Sequence, residues 1–317
     1  MSLEGGKRIR ARVAILVVTR QRPAMLEKLL KSLEVLSFST LALDITIVVV
    51  DNDPNGSSGE VCARVNDSLP YRLFYFIESQ IGIPFARNRA VREAINENDY
   101  LVFVDDDETV DPSWLEELML AQQQYSADVV AGPVVSLLPS SAPEWARAGK
   151  IFQHPSFVAG TQVHWCASNN VLVSAHVFTS FDEWFDERLA LSGGSDRQFF
   201  ERVSQRGFKI IWTDKAIARE EIPASRANIR WVLKRMYRQG ISNAFSDIEL
   251  SRRRYPRIRV GVRAVGWVML GIVLLPVGLL TGSHRLVHYA RYIAYGLGQW
   301  SALRGRLYNE YTVIHGQ

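Results

Sequence analysis

The sequence predicts an α/β fold with a Rossmann-like, mostly parallel central sheet and a C-terminal helical segment. Between residues 13 and 125, apolar runs alternate four times with helical patterns. Strands that alternate with helices in this way form parallel sheets. The strand runs are apolar throughout, as expected for strands buried on both faces. An uncharged stretch, Ala264 to Ser283, then ends the alternation.

The elements of the first half follow from their residue patterns. Strands are expected at 13–18, 45–50, 71–77 and 100–104, and helices after Pro23, at 59–66, around Ala86 to Ile95 and after Asp111-Pro112. In the first helix, Leu26, Leu29, Leu30 and Leu33 recur at helical spacing behind Pro23. Proline is favoured in a first helical turn, and this leucine spacing places one apolar face toward the sheet.

The pattern is less regular from residue 127 onward. Strands are expected at 128–132, 165–173 and 208–212, helices after Asp196 and at 226–238, and a long loop over the site at 139–155. Gly193-Gly194 precedes the helix that begins near Asp196, and Gly207 ends it.

Four consecutive acids, Asp105 to Glu108, follow the strand Leu101 to Val104. They are expected at the carboxyl edge of the sheet, where open α/β folds bind ligands. Adjacent carboxylates repel one another unless something neutralises them. Hard cations such as Mg²⁺ or Mn²⁺ prefer oxygen ligands. The tetrad therefore predicts either a metal site or a solvated acidic turn, with Asp111 capping the next helix.

The other strands also end in polar residues, which are expected at the same edge. Thr19 and Arg20 follow the first strand, and Asp51 and Asp53 follow the second. This arrangement suits a nucleotide-bearing substrate. The first strand is not followed by G-x-G-x-x-G, and the chain has no G-x-x-x-x-G-K-[ST]. Phosphates at this edge would therefore be held by a metal and by basic side chains.

Charge is distributed unevenly along the chain. Residues 197–317 contain 21 Lys+Arg and 7 Asp+Glu, a net charge of +14, which leaves −10 for residues 1–196. A basic end points to an anionic partner. Because an apolar segment follows, anionic lipid fits better than nucleic acid. Cys62 and Cys166 are far apart and lack metal-ligand spacing, so they are expected to be reduced thiols in a cytosolic protein.

The tail combines basic and apolar segments. Residues 252–263 contain six arginines, and Ala264 to Ser283 is uncharged. Such a length can cross a hydrocarbon core of about 30 Å. A second segment, 286–303, is interrupted by Arg291. Arginines on both sides favour a re-entrant hairpin, bent at Pro276, or a pair of interfacial helices, and the alternative is a buried helix. Residues 252–303 are thus expected at the cytoplasmic face of the inner (plasma) membrane.

Five short motifs occur in a specific order and spacing. They are Thr19-Arg20, Val49 to Asp53, Ala86-Arg87-Asn88, Asp105 to Asp107, and Gly193 to Phe200. Together they resemble family 2 glycosyltransferases with the GT-A fold, in particular bacterial exopolysaccharide enzymes of the succinoglycan-glucosyltransferase type. The resemblance covers residues 12–240, which leaves 241–317 as a membrane-associated helical region.

The resemblance implies an inverting hexosyltransferase for exopolysaccharide or cell-surface glycan synthesis. It implies a nucleotide-sugar donor, expected to be UDP-linked, Mg²⁺ or Mn²⁺, and a saccharide acceptor that is expected to be lipid-linked. Asp107 then matches the direct metal ligand, and Asp105 matches a metal or ribose contact. Asp196 matches the general base that deprotonates the acceptor. Where relatives carry Glu before this Asp, the chain has Ser195, which puts the acceptor contacts in question.

Further residues match donor-binding positions of the family. The donor-binding candidates are Thr19, Arg20, Asp51, Asp53, Arg87, Asp105, Asp106 and Arg226. Structural alternatives stay open: Thr19 could cap a helix, Asp51 could form an Asx-turn, and Asp196 could satisfy a helix dipole. Arg87 could pair with surface acids, and Arg226 could lie on a solvated basic helix.

Two other functions remain open at this point. A sugar-phosphate nucleotidyltransferase would also bind metal and nucleotide, but it predicts a glycine-rich basic loop after the first strand, and residues 19–24 contain no glycine. A non-catalytic membrane scaffold with the same fold would show no metal-dependent nucleotide binding.

Overall fold

The computed structural model describes residues 11–190, 192–251 and 254–305. Its first half alternates strand and helix as predicted, and the four strand boundaries lie within two residues of the expected ones. These elements are β1 (Ala11–Thr19), α1 (Pro23–Glu34), β2 (Leu43–Asp51), α2 (Gly59–Asn66), β3 (Arg72–Ile77), α3 (Ile83–Ala94), β4 (Tyr100–Asp105) and α4 (Trp114–Tyr125).

The remaining strands are shorter. They are β5 (Glu108–Val110), β6 (Val129–Ala131), β7 (Val134–Leu137), β8 (Gln162–Val163), β9 (Asn170–Ser174), β10 (Ile210–Trp212) and β11 (Ala218–Glu221). The remaining helices are α5 (Glu144–Ala148), α6 (Ala175–Thr179), α7 (Ser195–Gln205), α8 (Ile229–Glu249), α9 (Pro256–Thr281) and α10 (Ser283–Leu303), with a 3₁₀ turn at Glu187–Leu189.

The main sheet has eight strands in the order β3-β2-β1-β4-β9-β6-β10-β8. Strands β3, β2, β1 and β4 are parallel neighbours. Strand β9 is antiparallel to both β4 and β6. The α/β class with a mostly parallel central sheet is therefore confirmed.

Strand register brings the polar strand ends together. Thr19 of β1 pairs with Asp51 of β2, and Val18 pairs with Asp105 of β4. Because parallel strands share one carboxyl edge, the residues after these strands face one crevice.

The sheet is buried on both faces. One core cluster includes the four leucines of α1, all fully buried, against β1, β2 and β4. The other includes Ala86, Ala90 and Ala94 of α3. Each fully buried leucine contributes about 1.5–3 kcal/mol of transfer free energy. This burial fixes the strand ends that carry polar side chains.

A second, three-stranded sheet in the order β5-β11-β7 was not anticipated from the sequence. In it, Glu220 of β11 lies opposite Glu108 of β5. Each strand has only three or four residues, so no alternating pattern can be recognised. The small sheet carries Glu220 to the crevice.

Three C-terminal helices pack side by side, with α10 contacting both α8 and α9. Glycines allow the helix backbones to approach closely. A Cβ on Gly240 of α8 would lie 2.2 Å from the backbone carbonyl oxygen of Tyr295, and one on Gly298 of α10 would lie 1.9 Å from the backbone carbonyl oxygen of Tyr237. Small residues let helix backbones approach in this way. The expected domain division at 240–241 falls inside α8, which is continuous from Ile229 to Glu249.

Helices α9 and α10 form an antiparallel hairpin. Gly278 lies against Leu286 near the turn, and Gly296 lies against Ala264 further along. The chain turns at Gly282, whose φ of +121° favours glycine. The hairpin was expected to turn at Pro276, and this expectation is wrong, because α9 continues through Pro276 to Thr281.

Among the described residues, one helix, α9, is long and apolar enough to cross a bilayer. Its most apolar window has a mean hydropathy of 2.2, and 17% of that window is buried within the protein. The side chains of Val262, Val273 and Leu280 are exposed. The buried-helix alternative is therefore wrong for α9.

The strand expected at 165–173 is also wrong in its first half. Strand β9 begins only at Asn170, and Gln162–Val163 forms the separate short strand β8. Residues 165–167 instead line a cavity beside α7. Apolar composition alone did not distinguish a cavity wall from a strand.

Glu116 of α4 anchors the loop between α1 and β2. Its carboxylate accepts backbone hydrogen bonds from Ser39 (2.8 Å), Thr40 (2.7 Å) and Leu41 (3.3 Å). Burial acts to raise the pKa of Glu116, but these bonds and the hydroxyls of Ser39 and Thr40 outweigh it and lower the pKa to about 2.

We expect Glu116→Gln to lower the free energy of unfolding by about 1.5–3 kcal/mol at pH 7, the usual range for hydrogen bonds to a charged group. Because the folded-state pKa of Glu116 lies below the value of 4.5 for an unperturbed glutamate, this stabilisation is present above pH 4.5 and is lost as pH falls toward 2. Urea unfolding at pH 7 and pH 3 measures both effects. An equal loss at both pH values would contradict the role of the charge.

Candidate functional site

The carboxyl ends of β1, β2 and β4 open into a cleft of about 260 Å³. Its described wall contains five carboxyl groups and six guanidinium groups. The acids are Asp105, Asp106, Asp107, Glu108 and Glu220, and the arginines are Arg20, Arg22, Arg87, Arg226, Arg235 and Arg238. The acidic tetrad therefore faces cations from four separate parts of the chain.

Asp106 is held beneath the cleft. Thr19 Oγ1 donates to Asp106 Oδ2 (2.8 Å), and Arg22 Nη1 donates to Asp106 Oδ1 (3.1 Å). Both Thr19 and Asp106 are buried. The Thr19 hydroxyl therefore does not cap the following helix, and its contact with the donor stays a prediction. The pair instead joins the end of β1 to the turn after β4.

Asp107 lies between two arginines. Arg22 Nη1 is 3.2 Å and Arg226 Nη1 is 3.4 Å from Asp107 Oδ2. Arg226 Nη1 also contacts Glu220 Oε1 at 3.1 Å. The two guanidinium groups together neutralise the charge of the Asp107 carboxylate. Arg226 thus lies in the cleft wall and not on a solvated face.

Asp105 is the acid most open to the cleft. Its side chain is 42% exposed, and its Oδ1 is 3.6 Å from Arg87 Nη2. Although Asp105 is partly exposed, the surrounding cleft walls desolvate its carboxylate. This desolvation, together with Asp107, Glu220 and Asp196, raises the pKa of Asp105 to about 6, and Arg87 opposes the shift. Burial and Asp107 raise the pKa of Asp106 to about 7, against Arg22 and Thr19. A cation would relieve the repulsion behind both shifts.

Glu108 supports Asp105 from below and was not identified from the sequence. The Asp105 amide donates to Glu108 Oε2 (3.3 Å), and Asn169 Nδ2 donates to Glu108 Oε1 (3.1 Å). Burial and the neighbouring acids raise the pKa of Glu108 well above its usual value. Opposite it, Glu220 contacts His154 Nε2 at 3.2 Å. Burial acts to raise the pKa of Glu220, but His154, Arg235 and Arg226 together lower it.

Asp51 and Asp53 lie under the loop after β2 and outside the cleft wall. Asp51 Oδ2 accepts from the Ser58 amide (2.8 Å) and from Tyr75 Oη (2.9 Å), and Asp51 Oδ1 accepts from the Asp53 amide (3.1 Å). Asp53 Oδ1 accepts from the Asn55 amide (3.1 Å). These contacts match the Asx-turn alternative, and the donor contacts of both residues stay predictions. Asn52, between them, lines the cleft.

A second cavity of about 630 Å³ adjoins the cleft and shares Arg87 and Asp105 with it. Asp196 lies in its wall, in the first turn of α7. The two preceding glycines have φ of +74° and +92°, conformations that favour glycine. A Cβ on Gly194 would also lie 2.7 Å from Ser242 Cβ. These glycines bring the start of α7 close to α8.

Two carboxylates, Asp105 and Asp107, are the groups that could hold a divalent cation. Among the described residues, no group of three or more His, Cys, Asp or Glu side chains is arranged to hold a metal. Mg²⁺ is commonly bound by one or two carboxylates together with substrate phosphates and water. These two carboxylates therefore fit a cation that binds together with a diphosphate.

Sequence reasoning missed Arg22, Glu108, Arg235, Arg238 and the position of His154 in this cleft. Of these, Arg235 and Arg238 lie within the predicted basic helix, where their three-residue spacing places them on one face. Arg22 follows Arg20 in the loop after β1 but was assigned no role, and His154 has no neighbouring motif that could identify it.

The family profile "Glycosyl transferase family 2" matches residues 14–181. Succinoglycan biosynthesis protein ExoM of Rhizobium meliloti (strain 1021) is 29% identical over 224 residues, which are 71% of each chain. The profile spans β1 to α6, and therefore includes the acidic tetrad but not Asp196.

Solved structures share the fold at low identity. TarS residues 1–349 of S. aureus with UDP-GlcNAc align with a TM-score of 0.53 and 17% identity, over 96% of this chain and 95% of that one. The chain spans 55% of a longer TarS structure. Mannosyltransferase PcManGT of Pyrobaculum calidifontis, with GDP-Man and Mn²⁺, aligns with a TM-score of 0.64 and 13% identity, over 94% and 89% of the two chains. The chain belongs to glycosyltransferase family 2 and has the GT-A fold.

Proposed function

We propose that this protein is a metal-dependent, inverting hexosyltransferase that moves a sugar from a UDP-sugar to a saccharide acceptor in exopolysaccharide or cell-surface glycan synthesis. One observation carries the proposal. An acid- and arginine-lined cleft joins a second cavity at Asp105 and Arg87, and Asp196 lies in the second cavity. Donor and acceptor would then meet where the two cavities join.

Asp107 and Asp105 would hold Mg²⁺ or Mn²⁺ together with the donor diphosphate. The cation would supply positive charge to the leaving nucleoside diphosphate. Arg22 and Arg226 both contact Asp107 Oδ2. Their guanidinium groups, which bind phosphate oxygens well, would be placed to hold the diphosphate beside this carboxylate. Buried Asp106 and Glu108 would keep the carboxylates in place.

Asp196 would act as the general base. In one in-line displacement, its carboxylate takes the proton of an acceptor hydroxyl while that oxygen bonds to the anomeric carbon and the bond to the diphosphate breaks. The Arg197 amide donates to Asp196 Oδ1 (2.8 Å). This bond orients the carboxylate at the start of α7.

The α9–α10 hairpin would hold the enzyme on the cytoplasmic face of the plasma membrane. The outer face of α9 exposes apolar side chains over most of its 26 residues, a length of about 39 Å. Arg257, Arg259 and Arg263 lie near its N-terminus, where they could contact anionic headgroups. The acceptor is then proposed to be lipid-linked.

We expect Asp107→Asn to weaken Mn²⁺-dependent UDP binding by about 10–100-fold or more, since even residues that only support metal ligands cost this much. Isothermal titration with UDP, with and without Mn²⁺, measures the effect. Asp182→Asn changes an exposed acid outside the cleft and should bind like the wild type. Unchanged Mn²⁺-dependent affinity in Asp107→Asn would exclude Asp107 as a ligand.

We expect Asp196→Asn to lower kcat by about 10²–10⁴-fold, the usual contribution of a general base, with UDP–Mn²⁺ affinity within about twofold of wild type. The assay follows UDP release from the UDP-hexose that gives the largest Mn²⁺-dependent thermal shift. Asp214→Asn, at an exposed acid outside both cavities, is the matched control. Proton NMR of the wild-type product should show inversion, and retained configuration would contradict the single displacement.

We expect the full chain to float with vesicles that contain phosphatidylglycerol and to float less with pure phosphatidylcholine. Val273→Glu should reduce flotation severalfold, because a charge in the hydrocarbon region costs about 2.5–3.5 kcal/mol. Val273 is 64% exposed on α9, and Val35, 59% exposed after α1, provides the control Val35→Glu. Equal flotation of both variants would argue against contact through α9.

A further inference from the structure

Trp165 lies in the wall of the second cavity, the same cavity that contains Asp196. Its side chain is 39% exposed, whereas Trp114 and Trp212 are buried. The neighbours Val163 and Cys166 are buried and belong to the core. They hold the backbone of this segment, so the indole of Trp165 is not needed to attach the segment to the core.

Arg197 fixes the orientation of Trp165. Its Cζ lies 5.2 Å from the centroid of the indole ring, in a cation–π contact. The guanidinium is itself held by Glu201 (2.6 Å) and Asp247 (3.4 Å). Because these two carboxylates hold the guanidinium group in place, Arg197 stays packed against one face of the indole ring.

Arg197 directly follows Asp196 in the first turn of α7. Trp165 and Arg197 together form an indole platform, which contacts, through Arg197, the helical turn that carries Asp196. This contact limits how far the indole can move relative to the carboxylate. A ligand that rests on the indole would have a defined position relative to Asp196. Such preorganisation suits a group that must present one hydroxyl to a base.

The cavity has the size and character of a sugar site. Its volume, about 630 Å³, lies within the usual range of about 300–1,000 Å³ for small-molecule sites. An aromatic pair also lines the cavity: Phe157 lies edge-on to Trp212, with 5.4 Å between the ring centroids. A pyranose ring has an apolar face of C–H groups, which pack against the electron-rich face of an indole.

We propose that Trp165 is a specificity-determining residue for the acceptor: the acceptor's terminal pyranose stacks on the indole face opposite Arg197, which directs one hydroxyl to Asp196. This inference rests on the proposed function, since it assumes that Asp196 lies at the acceptor side. The indole of Trp165 would therefore select acceptors whose terminal sugar presents a flat, uncharged face.

The test compares wild type, Trp165→Ala and Trp165→Phe in their binding of octyl β-D-glucopyranoside and octyl β-D-galactopyranoside. Titrations use full-length protein loaded with UDP and Mn²⁺, with glycoside concentrations below micelle formation. Saturation-transfer NMR identifies which ring protons contact the protein. We expect Trp165→Ala to weaken binding of the better glycoside by about tenfold or more and to remove saturation of one sugar face. Trp165→Phe should retain most of the affinity.

Phe74→Ala is the matched control, because Phe74 is 47% exposed on β3 and lines neither cavity. It should bind both glycosides like wild type. UDP–Mn²⁺ affinity should be the same in all variants, which shows that the fold and the donor cleft are intact.

Three results would overturn the proposal: equal glycoside affinity in wild type and Trp165→Ala, no sugar-face saturation with either glycoside in wild type, or an equal loss in Phe74→Ala. Each of these leaves Mn²⁺-dependent UDP binding unchanged. Absence of that binding in wild type would instead contradict the proposed function itself, so the two failures are distinguishable.

Discussion

The repulsion among the acids at the end of β4 is the constraint on which the rest of the site depends. Four consecutive carboxyl groups at a sheet edge would strongly oppose one another if all were ionised and uncompensated. Cations from distant segments compensate them: Arg22 after β1, Arg87 in α3 and Arg226 before α8. Removing one partner of a buried ion pair leaves an uncompensated charge and is strongly destabilising. The same contacts therefore hold loops together and define the ligand cleft.

Local sequence pattern was sufficient for the four neighbouring parallel strands of the main sheet and for placing the acidic tetrad at their carboxyl edge. The apolar runs of β1, β2 and β4 are long, and the leucines of α1 repeat at helical spacing, so local pattern and tertiary burial agree. The tetrad could be placed at the sheet edge because parallel strands share that edge. The expected positions of Asp105 and Arg87 at one cleft depended on the same reasoning.

The partners of these residues could not be predicted, because they depend on contacts between distant segments. Thr19 reaches Asp106 across 87 positions, and Arg226 reaches Asp107 across 119. The small sheet brings Glu220 opposite Glu108 through strands too short to recognise. Segment 165–169 has strand-like composition but lines a cavity, where the side chain of Trp165 is exposed while Cys166 and Ser168 are buried.

Helix α8 has a mechanical consequence, since it lines both cavities and also packs against the C-terminal hairpin. Arg235 and Arg238 line the two cavities, while Gly240 approaches the backbone of α10 so closely that a methyl group would not fit. The close packing of α10 against α8 therefore holds the hairpin against the helix that lines both cavities. If α9 rests on a bilayer, the fold fixes the distance between Asp196 and the lipid surface. The length of the acceptor glycan would then determine which hydroxyl reaches Asp196.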